Sequence, residues 1–132
     1  MERKDIIELA ASVGRAIKSS DIMTEFEEAG EAYDADEELQ SMIREYTTHQ
    51  EALTRADADE TAGEILIKAL SDRIDELYGS ISRNEAFERY SKAQDELSRL
   101  LDEVNSVISE HAMGKIPSGG CTGNCSSCGG CR

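Results

Sequence analysis

The chain has four cysteines, Cys121, Cys125, Cys128 and Cys131, and all of them fall in its last twelve residues, CTGNCSSCGGCR. Their spacing is C-x3-C-x2-C-x2-C, with Gly, Ser, Thr and Asn in the gaps. Small residues between ligands let the backbone curl around an ion or cluster without steric conflict. Thiolates this close in sequence suit a soft, thiophilic centre, zinc or iron–sulfur. Zinc usually takes its cysteines as two pairs a dozen or more residues apart. The compact run here is closer to the C-x2-C-x2-C of iron–sulfur proteins, which Cys125, Cys128 and Cys131 match. An iron–sulfur cluster is therefore the expected occupant, with zinc as the alternative. Cys121, Cys125 and Cys128 also have the spacing of radical-SAM enzymes, but a chain of 132 residues is too short for the barrel those enzymes need. His111 precedes Cys121 by ten residues, and a histidine there more readily meets the C-terminal end of a helix dipole than a metal.

Other chemistry is poorly supported. The stretch DADEELQSMIRE sets Asp34, Asp36, Glu38 and Glu45 at calcium-loop offsets, but Leu39 stands where that loop requires glycine. There is no P-loop, no dinucleotide glycine pattern and no Cys–His or Ser–His pairing with supporting context, so an enzyme is not expected. The formal charge is −14, from 28 acidic and 14 basic residues. Such a surface repels phosphate backbones and argues against direct nucleic-acid binding by this subunit alone. It calls instead for partners with basic or apolar surfaces. The first residues hold no long apolar stretch of a signal peptide, and no run reaches the roughly 18 apolar residues of a membrane span. A cytoplasmic location follows as the expectation. Thiols stay reduced there, so a cysteine cluster reads as a metal site before it reads as disulfides.

The body that must carry this tail reads as helical throughout. One proline, no tryptophan and long Ala/Glu/Leu/Lys/Arg stretches predict an all-α fold, a small antiparallel helical bundle or hairpin with a long C-terminal helix and a flexible cysteine-rich tail. Ile6, Leu9, Ala10, Val13 and Ile17 step along one face of a first helix. Ser20 caps a second, with the stripe Met23, Phe26, Ala29, Gly30 and Tyr33. Asp36 caps a third, containing Leu39, Met42, Ile43, Tyr46 and Leu53, and TRADADETAG reads as the loop of a helical hairpin. Ile67, Leu70, Ile74, Leu77 and Ile81 mark a fourth. Ser82 with Glu85, or Asn84 alone, opens a last helix from about Glu85 to Met113, about 40 Å long. Its seam reads Phe87, Tyr90, Gln94, Leu97, Leu101, Val104 and Ile108, the spacing of a coiled-coil-like contact. Tyr90, Gln94, Leu97 and Leu101 are the candidate partner-binding residues. Gln94, polar on that seam, either sets register or sits solvated at its margin. The expected organisation is a helical domain over 1–113, a flexible linker over 114–120 and a metal-binding tail over 121–132.

Three stretches, AIKSSDIMTEFEEAGEAYDADEELQ, ISRNEAFERYSKAQDELSRLLDEVNSVIS and the cysteine tail, together resemble the YlbF/YmcA family of bacterial regulators. The resemblance implies a small all-α protein, self-associated when alone, that acts with YmcA-like and YaaT-like subunits. It further implies an accessory role to the membrane-tethered endoribonuclease RNase Y in maturation of messenger RNA, with competence, sporulation and biofilm formation downstream. The cofactor it implies is a [4Fe–4S] cluster on Cys121, Cys125, Cys128 and Cys131. Glu37 and Glu85 stand where a proline often follows the cap in the family; the helix starts are retained.

Overall fold

The computed structural model describes residues 1–114, which form five helices: α1 (Arg3–Lys18), α2 (Asp21–Ala35), α3 (Glu37–Ala58), α4 (Glu64–Arg83) and α5 (Glu85–Met113). No strand occurs among the described residues, and the fold is all-α as the composition predicts. The four cysteines, and the linker beyond Gly114, lie outside the described residues.

Local chemistry sets the helix ends. Ser20 accepts the Met23 N–H at 3.1 Å and opens α2. Asp36 alone separates α2 from α3; its Oδ1 accepts the Leu39 N–H at 3.0 Å. Asn84 does the same between α4 and α5, accepting the Phe87 N–H at 3.0 Å, so of the two openings considered for the last helix the asparagine is the one used. Gly114 ends α5 with φ +85°, a left-handed conformation that favours glycine, and its N–H donates to Glu110 O at 2.8 Å.

The hairpin loop is shorter than its composition suggests. Thr54–Ala58 stay helical and the turn is confined to 59–63. Ala56 is buried, which gives this last turn of α3 a packing reason to persist that its polar neighbours conceal. Asp59 then closes the turn, accepting both the N–H and the hydroxyl of Thr61.

Two compact units are present, residues 1–93 and the part from Gln94 onward. Within the first, α3 and α4 are the most closely packed helices. They run antiparallel: Asp36 meets Asn84 at one end, Glu45 meets Arg73 midway, and the 59–63 turn closes the other end. Leu39, Ala56, Ile74, Leu77 and Ile81 fill the hairpin, and Leu39 is wholly enclosed. The aromatic stripe of α2 packs on the first turns of α5: Tyr90 stacks on Phe26 with centroids 5.4 Å apart and tilts against Tyr33 at 4.8 Å. Gly30 lies beneath this ring: a Cβ on it would sit 3.4 Å from Tyr90, already in van der Waals contact, which leaves no room for a larger side chain. In the second unit α5 continues to Met113.

Candidate functional site

The seam of α5 differs from its sequence reading at one decisive position. Ala93, not Gln94, is the buried residue after Tyr90, and Gln94 is exposed. A turn of 3.6 residues lets the contact advance by three here, and the small alanine admits close packing where glutamine would bring an amide in need of partners. Gln94 therefore takes no part in the core of the single chain. Tyr90 is turned to Phe26 and Tyr33 of its own chain and is half-buried, so its ring is committed to the fold. Leu97 is half-buried and Leu101 exposed, which leaves Leu101, with Val107 and Ile108, as apolar surface on the second unit.

A second apolar surface was present in the sequence as a helical period but not recognised as surface. Ile6, Ile7 and Leu9 each leave more than half their area to solvent, and α1 has no buried residue. The signal that could have revealed it is the absence of any further apolar stripe in the first unit left free to cover it.

Charged side chains brace the helices rather than forming a reactive centre. Arg73 on α4 donates from Nε and Nη2 to the two carboxylate oxygens of Glu45 on α3, the second bond being 3.0 Å. Arg89 on α5 grips Glu25 on α2 in the same forked way, at 3.1 and 2.6 Å. These guanidinium hydrogen bonds hold Glu45 and Glu25 below the usual carboxylate range, against an opposing push from desolvation. Asp36 is likewise held low, first by the Leu39 N–H and then by the Asn84 amide. All three carboxylates are thus biased toward staying ionised, the opposite of a proton donor poised for catalysis. His49 and His111 each place Nδ1 2.8 Å from a carbonyl one turn earlier, Glu45 O and Val107 O. His111 therefore makes a helix contact near the C-terminus of α5. The calcium-like offsets do not assemble a loop, because Asp34 lies in α2 and Asp36 is the cap of α3. Among the described residues no group of three or more His, Cys, Asp or Glu side chains could hold a metal. No helix among them is long and apolar enough to cross a membrane.

Comparison with known proteins matches the helical body to one family. The family described as control of competence regulator ComK, YlbF/YmcA, matches residues 6–111. Two proteins of Desulfitobacterium hafniense (strain Y51) are similar along most of their length. UPF0342 protein DSY1594 is 28% identical over 129 residues, 96% of this chain and 95% of that protein. UPF0342 protein DSY2926 is 28% identical over 114 residues, 86% of this chain and 90% of that protein. No solved structure matches. The family match ends at residue 111, ahead of the first cysteine, so it rests on the helices alone. On that helical body the chain belongs to the YlbF/YmcA family of regulators of competence.

Proposed function

We propose that this chain is a non-catalytic regulatory subunit whose helices bind partner proteins and whose tail holds an iron–sulfur cluster. Cys121, Cys125, Cys128 and Cys131 are its ligands, and a [4Fe–4S] centre matches their number. The observation that carries this reading is the segregation of sulfur: every thiol lies in the last twelve residues, behind a thiol-free helical body that matches a regulatory family. Four deprotonated cysteines supply the soft donor set such a cluster requires. The partners in this reading are YmcA-like and YaaT-like subunits, and through them RNase Y, with messenger-RNA maturation, competence, sporulation and biofilm formation as the processes controlled. RNA contact belongs to those partners, since all 28 acidic residues lie in the helical body, whose charge repels phosphate, and the linker and tail together carry only Lys115 and Arg132 as charged side chains. The location of such a subunit is the cytoplasm.

Purification without oxygen should yield brown protein containing iron and acid-labile sulfide, and Cys128→Ser should remove the colour. Colourless protein carrying one tightly held zinc would replace the cluster with a zinc-stapled interaction module. Strong RNA binding by the isolated, metal-loaded chain would contradict the division of labour between subunits.

A further inference from the structure

We draw no further inference here: the strongest candidate, the exposed apolar face that Ile6, Leu9 and Val13 give α1, is an unpartnered helix face, and nothing in the structure shows what covers it.

Discussion

Two residues, Asp36 and Asn84, turn the chain without a loop between helices. Each ends one helix and starts the next, and the Asn84 amide donates to Asp36 Oδ2 at 3.1 Å. The two breaks are therefore fastened together, although 48 positions separate them in the chain. Asp36 is ionised in this arrangement, held below its ordinary range chiefly by the Leu39 N–H and then by Asn84. A carboxylate with a depressed folded pKa stabilises the fold above the unfolded value near 3.8, and that contribution disappears as pH falls through the folded value. Asn84→Asp keeps a capping oxygen but removes the amide donor and sets two carboxylates face to face. The variant should melt several degrees below wild type at pH 7. As acidification protonates one of the pair the gap should narrow, and melting curves between pH 7 and pH 3 read this directly. A pH-independent gap would mean that repulsion is not its cause.

At the scale of whole elements, what could be read in advance depended on how local its cause was. Ser20 and Asp36 are visible as caps because their hydrogen bonds reach only three residues. Ala56 and Ala93 were missed because alanine barely registers in a hydrophobic period, yet small residues are what close helix contacts require. The approach of Gly30 to Tyr90 has no sequence signature at all, since it joins helices sixty positions apart. The tail is the reverse case: the spacing of its cysteines suggests a metal site without reference to any fold, and that expectation falls outside the described residues. Packing costs follow from the same distinction. Leu77→Ala on α4 empties space inside the hairpin and should cost about 2–5 kcal/mol in a denaturant titration. Gly30→Leu drives a branched chain into the Tyr90 ring and should cost about 1–3 kcal/mol through overpacking. Loss of the Phe26–Tyr90 stacking should then appear as a change in near-ultraviolet dichroism while the far-ultraviolet signal persists. The Glu45–Arg73 and Glu25–Arg89 forks are exposed enough to orient helices without contributing comparably.

For the molecule as a whole, the deciding feature is how little the described chain buries. Its core consists of Ala29, Leu39, Ala56, Ile74, Leu77, Ile81 and Ala93, three of them alanine, and all of it lies within residues 1–93. More large apolar side chains are exposed than buried. A body with so small an interior sits near the lower limit of independent stability, because apolar burial is the main term opposing conformational entropy. Self-association that covers exposed apolar surface such as that of α1 would add burial, and mass action would then link folding to association. The melting temperature should therefore rise with protein concentration across a hundredfold dilution series. Removal of everything after Pro117 should leave that series unchanged, because every buried residue among the described ones lies within residues 1–93. A melting temperature independent of concentration would mean that the small interior suffices alone. A series that collapses on truncation would place the stabilising contact in the tail instead of the helices.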